Sequence, residues 1–235
     1  MPLCGVRDLQ AFFWFRVFSV SKQSPAPHRN MRGRPQTVGQ PVLQKQGMKN
    51  RNELNLSAME LVEAYSKSLK TTSWIWGGFT VDIYENRMLR EHDDLDYLTL
   101  NLHALISGFF ELFASCGWQV NLLENGDLRL KREDVKIQLG HVEISDKARW
   151  THNGEKGSIW FPSNWLNLEP VNFCGVEIHA VKPEFQYVMI ERPQMLNPNW
   201  KHRDKDILAQ GYLRSYIESN GIAPQNLFEQ VYDTA

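Results

Sequence analysis

The sequence has no cysteine framework, no long apolar run and almost no net charge, and each lack removes a class of protein. Its three cysteines, Cys4, Cys116 and Cys174, match no metal-ligand spacing and are too few and too scattered for a disulfide scaffold. That usage fits a reducing compartment, so a cytoplasmic protein is expected. No apolar run approaches the ~20 residues of a membrane span, and no membrane partner is expected. There is no internal repeat and no sustained heptad. The formal charge of −1 conceals an asymmetry, because residues 1–47 hold seven basic residues against one acid and the remainder carries −7. A mildly acidic body lacks the clustered Lys and Arg that a phosphodiester backbone calls for, which argues against a nucleic-acid partner. Nothing in the composition fixes an oligomeric state.

What is present is an ordinary globular composition, with 42% hydrophobic and 23% charged residues in 235. The Pro-, Gln- and Arg-rich run from Ser24 to Gln46 has no hydrophobic period and buries too little to offset its ordering entropy. Residues 1–47 therefore read as a disordered or non-native extension, with translation beginning at Met48, or as a transit peptide; Arg16 interrupts the apolar stretch a secretory signal would need. Residues 48–235 read as one domain.

Ser57 and Glu60 form a capping-box pattern that opens a predicted helix over 57–70. A strand at Trp74–Trp76, a short helix from Phe79 to Tyr84 and a strand from Asp94 to Leu100 follow. Asn101 is a candidate N-cap for a helix that Gly117 ends. Asn125-Gly126 predicts a hairpin between Trp118–Leu123 and Leu128–Lys131. Another strand, Val135–Ile144, is expected to break at Gly140. A loop-rich stretch over 148–173 carries Trp150, Trp160 and Trp165, which either wall a substrate pocket or pack in the core. A strand at Val176–Val181 and helices entered at Pro183 and Asp204 complete the pattern. This order predicts an α+β fold, a mixed and mostly antiparallel sheet packed with helices.

Asp94 and Asp96 stand two apart at the predicted strand, so their side chains share one face. Paired carboxylates repel unless a cation lies between them, and Mg²⁺ is usually held by one or two carboxylates plus substrate phosphates. Sixteen residues upstream of Asp94, Gly78 follows Gly77 between a strand and a helix, where the backbone can approach phosphate closely. Arg90 and His92 add donors beside the carboxylates. Alone, Gly-Gly is a common turn and Asp-x-Asp a common solvated edge.

Together, Trp76-Gly77-Gly78-Phe79-Thr80-Val81-Asp82 and Arg90-Glu91-His92-Asp93-Asp94-Leu95-Asp96 resemble the polymerase-β-like nucleotidyltransferases. The likeness is greatest to the small antibiotic-modifying branch, the lincosamide nucleotidyltransferases and aminoglycoside 2″-adenylyltransferases. The resemblance implies the nucleotidyltransferase fold, with Gly77 and Gly78 on the triphosphate and Asp94 and Asp96 on Mg²⁺. Arg90 and His92 would contact nucleotide phosphate. It also implies ATP or another nucleoside triphosphate as co-substrate. The acceptor would be a hydroxyl of a small molecule, an antibiotic being one case.

The family's third acid comes from a later strand, and the matching position in Val135–Val142 is Gln138. Glutamine can ligate through its carbonyl but cannot act as a general base. Three readings stay open. Asp134 or Glu143 replaces it, although Glu143 belongs to the other face of a regular strand; or the nucleophile arrives already ionised; or the chain binds nucleotide or a partner without turnover.

Overall fold

The carboxylate motif enters a sheet whose two faces are covered unequally, and that inequality positions the site. The computed structural model describes residues 42–144, 148–151, 158–195 and 199–234. The expectations for residues 1–41 lie outside these.

The first described helix, α1 (Val42–Ser68), begins well before the predicted start, so Ser57 lies within it and caps nothing. Then come β1 (Ser73–Trp76), α2 (Phe79–Tyr84), β2 (Leu95–Leu100) and α3 (Leu102–Ser115). The hairpin β3 (Gln119–Leu122) and β4 (Leu128–Arg132) turns at Gly126, φ +80°, where a residue without Cβ is favoured. The long strand β5 (Val135–Ile144) passes Gly140 without the predicted break. The stretch expected to be loop-rich holds β6 (Ala148–Thr151), β7 (Ser158–Phe161) and a 3₁₀ turn at Ser163–Trp165. A hairpin, β8 (Val171–Phe173) with β9 (Val176–Ile178), leads to α4 (Pro183–Glu191), α5 (Asp204–Ser219), α6 (Pro224–Phe228) and β10 (Tyr232–Thr234). Asn101 stands at the N-cap of α3 as expected, but its φ is +54° and its side chain bonds no helical N–H.

Among the described residues the main sheet has eight strands, ordered β1-β2-β5-β6-β7-β10, with the β3–β4 hairpin joined to the first half of β5. β2 and β5 run parallel, and the other strand pairings of this sheet are antiparallel. The α+β class with a mostly antiparallel sheet is therefore what the chain forms.

Alternation along the strands sorts residues to two faces. On one face Leu95, Tyr97, Leu128, Leu130, Ile137 and Leu139 are buried with Met59 and Val62 of α1 and Phe109 and Phe113 of α3. On the other, Trp74, Leu98 and Val142 are buried with Phe185 and Val188 of α4 and Leu213 and Ile217 of α5. Trp165 belongs to this second core, so for it the packing reading holds. The second layer does not cover the first half of β5 or the β3–β4 hairpin, where Gln119, Asn121, Arg129, Lys131 and Lys136 are exposed. The carboxylate motif opens at the boundary between the covered and bare parts.

Candidate functional site

The site is built on one row across the sheet. The register places Trp76 opposite Asp96, Asp96 opposite Gln138 and Gln138 opposite Arg129, and residues directly opposite share a face. Asp94 precedes the first residue of β2 and is exposed, while Asp96 is half-buried at the strand's second position. Burial, and then the charge of Asp94, push the Asp96 carboxyl up to about 7, against a smaller opposing pull from Lys205.

Gly77 requires glycine by its backbone, and Gly78 is packed closely by side chains of the motif. Gly77 has φ +75°, and a Cβ there would lie 2.8 Å from Oδ2 of Asp96. A Cβ on Gly78 would run into the Arg90 guanidinium and come within 3.0 Å of His92 Nδ1. Gly77, Gly78, Arg90, His92 and Asp96 are thus brought together, with Asp94 close enough for its charge to act on Asp96.

Four further residues hold this arrangement and were not picked out from sequence. Gln186 of α4 is buried, and its Oε1 accepts the Gly77 N–H at 2.6 Å and the Thr80 hydroxyl at 3.4 Å. That amide therefore serves the turn's shape. Asp82 of α2 is also buried; its Oδ2 accepts the Leu89 N–H at 3.0 Å and lies 3.0 Å from His92 Nε2. The His92 ring stacks on Phe79, 3.8 Å between centroids. From α1, Asn55 Nδ2 donates to the His92 carbonyl at 3.3 Å, and Arg51 pairs with Glu91 at 2.7 Å and Asp93 at 3.2 Å. The one sequence signal among these was Asp82, an acid among the buried apolar positions Phe79, Val81 and Ile83.

At the start of α5, Arg203 feels the charge of Asp94 but is tied to Asp206 through Nε and Nη2 at 2.9 and 2.8 Å. Lys205 makes no hydrogen bond or ion pair with a described residue, and its charge acts on Asp96.

Gln138 lies beside Asp96, and its Nε2 donates to Asp127 Oδ2 at 3.2 Å. Asp127 is buried and also accepts from Asn125 Nδ2 at 2.8 Å and the His141 N–H at 3.3 Å. Glu143 is on the opposite face, 3.3 Å from His141 Nε2. Asp134 and Glu133 form the β4–β5 turn, beyond the paired ends of both strands.

The residues fit a hard divalent cation. The two carboxylates burden each other in a half-buried place, and bound charge would relieve them. Among the described residues no group of three or more His, Cys, Asp or Glu converges as a complete metal cage.

No family model matches the sequence, and no curated protein matches it. Among the solved structures that resemble the chain are three of antibiotic-related proteins. The antibiotic-resistance factor ANT(2″)-Ia in solution aligns over 74% of this chain and 89% of its own, with TM-score 0.58 at 15% identity. Its crystal structure in complex with adenylyl-2″-tobramycin aligns over 74% and 94%, with TM-score 0.56 at 15% identity. The lincomycin-bound lincosamide antibiotic adenylyltransferase LnuA aligns over 66% and 95%, with TM-score 0.52 at 19% identity. The chain has the fold of these proteins.

Proposed function

We propose that this chain, which has the polymerase-β-like nucleotidyltransferase fold, transfers a nucleoside monophosphate from ATP to an oxygen nucleophile on a small molecule. The observation that carries this is the packing of the Gly77-Gly78 turn directly against Asp96, Arg90 and His92, within a fold shared with two proteins named as antibiotic-modifying or resistance enzymes. In this reading Asp94 and Asp96 hold Mg²⁺, which supplies charge neutralisation on the triphosphate and at the leaving oxygen.

The chain's own groups do the rest. Gly78 lets the Arg90 guanidinium and the His92 ring lie directly against the turn, and Gly77, fixed by Gln186, sets the turn beside Asp96. Arg90 and Lys205 offer positive charge to phosphate oxygens, with Arg90 on a loop that Asp82, Asn55 and Arg51 tie down. His92 presents Nδ1 to the same turn while Asp82 occupies its Nε2. Such a site accelerates reaction by positioning and fixed electrostatics, without a covalent enzyme intermediate.

The experiment is incubation of the full chain with Mg²⁺, ATP and an acceptor panel that includes lincomycin and tobramycin, reading pyrophosphate release and adduct mass. Acceptor-dependent pyrophosphate with an AMP adduct is expected. ATP hydrolysis to ADP, or no ATP binding by calorimetry, contradicts the reading.

A further inference from the structure

The bare part of the sheet beside the carboxylates is cationic, and the catalytic position on it is neutral. Arg129 lies opposite Gln138, which lies opposite Asp96, so the three stand in one row on one face. Lys136, two residues before Gln138, shares that face by alternation, and Lys131 lies opposite Lys136. Carrying the β2–β5 register back by one residue places Lys136 beside Asp94. All three cations are exposed, and none forms an ion pair or side-chain hydrogen bond with a described residue. The remaining exposed side chains in these rows, Gln119 and Asn121 of β3, are neutral. The turn acids Glu133 and Asp134 lie past the strand ends, off these rows.

Apart from Asp94 and Asp96, which the reading above assigns to the metal, no described residue in these rows is a free proton acceptor for a substrate hydroxyl. Gln138 cannot take the proton. Asp127, the carboxylate bonded to Gln138, already accepts three N–H groups and is buried. Glu143 is on the other face with His141.

Resting on the nucleotidyl-transfer reading above, we propose that the acceptor nucleophile is an oxyanion, a phosphate or carboxylate group, bound by Arg129, Lys131 and Lys136. Such an acceptor meets both observations: an anion is attracted by unpaired cations, and an ionised oxygen needs no base. The acceptor's anionic oxygen gives an electron pair to the α-phosphorus of ATP and a new P–O bond forms. The bond between the α-phosphorus and the α–β bridging oxygen breaks, and pyrophosphate leaves with that electron pair. No proton moves. A phosphate acceptor gives a phosphoanhydride and a carboxylate gives an acyl adenylate. A polycation such as an aminoglycoside meets like charge on this face.

The test supplies ATP and Mg²⁺ with sugar phosphates, the same sugars without phosphate, sugar acids, tobramycin and a short oligonucleotide. Phosphorus NMR identifies a phosphoanhydride, and hydroxylamine traps an acyl adenylate, so the two oxyanion sources are told apart. Transfer onto a phosphate or carboxylate oxygen is the expected result. Transfer only to neutral or cationic hydroxyls, or to the oligonucleotide, overturns the oxyanion inference while upholding nucleotidyl transfer. No transfer to any acceptor overturns it as well; calorimetry with Mg·ATP then shows whether the nucleotide reading falls too. Arg129→Glu and Lys131→Glu, each reversing a charge on the acceptor face, should raise KM for the anionic acceptor by roughly tenfold or more with little change in KM for ATP. Gln138→Asp should slow transfer to the oxyanion, and an increase in rate contradicts the inference.

Discussion

Asp96 shows most directly how a desolvated charge costs a fold stability. Its carboxyl rises from 3.8 to about 7 because it is desolvated and because Asp94 stands beside it. A carboxylate with a raised folded value binds a proton more readily folded than unfolded, so its ionisation works against the fold. Metal-free stability should therefore fall as pH rises from about 4 to about 7, and the penalty should be complete above that. Asp96→Asn should flatten this slope and unfold at higher denaturant than wild type at pH 8, a comparison that urea titrations at several pH values make directly. An equal slope in both proteins would contradict the assignment. Gly77 is a second case. At φ +75°, and with a Cβ only 2.8 Å from Asp96, Gly77→Ala should cost about 1–2 kcal/mol from backbone strain before any loss at the site. These roles were half legible: the sequence placed the glycines and aspartates, while Gln186 lies more than a hundred residues from Gly77 and carries no local mark.

At the scale of elements, the site depends on helices that pin loops and strands from a distance. α1 reaches the segment before β2 through Arg51 and Asn55, and reaches the segment after β9 through Glu63. Glu63 accepts the His179 N–H at 2.7 Å and lies 3.0 Å from its Nδ1, and this bond raises the His179 value against the pull of burial. Such a pair stabilises fully below the unfolded histidine value of ~6.5 and loses its effect as pH rises through the raised folded value. Glu63→Gln should therefore cost more stability near pH 6 than near pH 9, measured by urea unfolding; a loss that grows with pH would refute the pairing. Local patterns predicted α2, α3, the Asn125-Gly126 hairpin and α4 well, because caps, turns and periodicity are short-range signals. They misplaced the start of α1, where Ser57 carries the residue types of a cap inside a continuing helix. They also invented a break at Gly140 that the pairing of β5 with β2 and β4 overrides. The β6–β7 pairing was missed because it is fixed by partners in the sheet and not by alternation in its own short segments.

For the molecule as a whole, the uneven cover of one sheet face decides what the site can meet. α4 and α5 close that face over Leu98 and Val142 but leave Arg129, Lys131 and Lys136 open beside Asp96. The net negative charge of the body gave no hint of this, since composition averages over faces that the fold separates. Register made the cationic rows visible, and register is a product of the assembled sheet. The fold itself was legible in the short run Trp76 to Asp96, because that turn and strand must fit together to bring glycine beside carboxylate. The measurement that bears most directly on this account is calorimetric titration of ATP, with and without Mg²⁺, into the full chain and into Asp94→Asn and Asp96→Asn. Metal-dependent binding that weakens by roughly tenfold or more in each variant is predicted, as expected when one of two carboxylate ligands is removed. Binding unchanged by Mg²⁺, or undiminished in both variants, would contradict it.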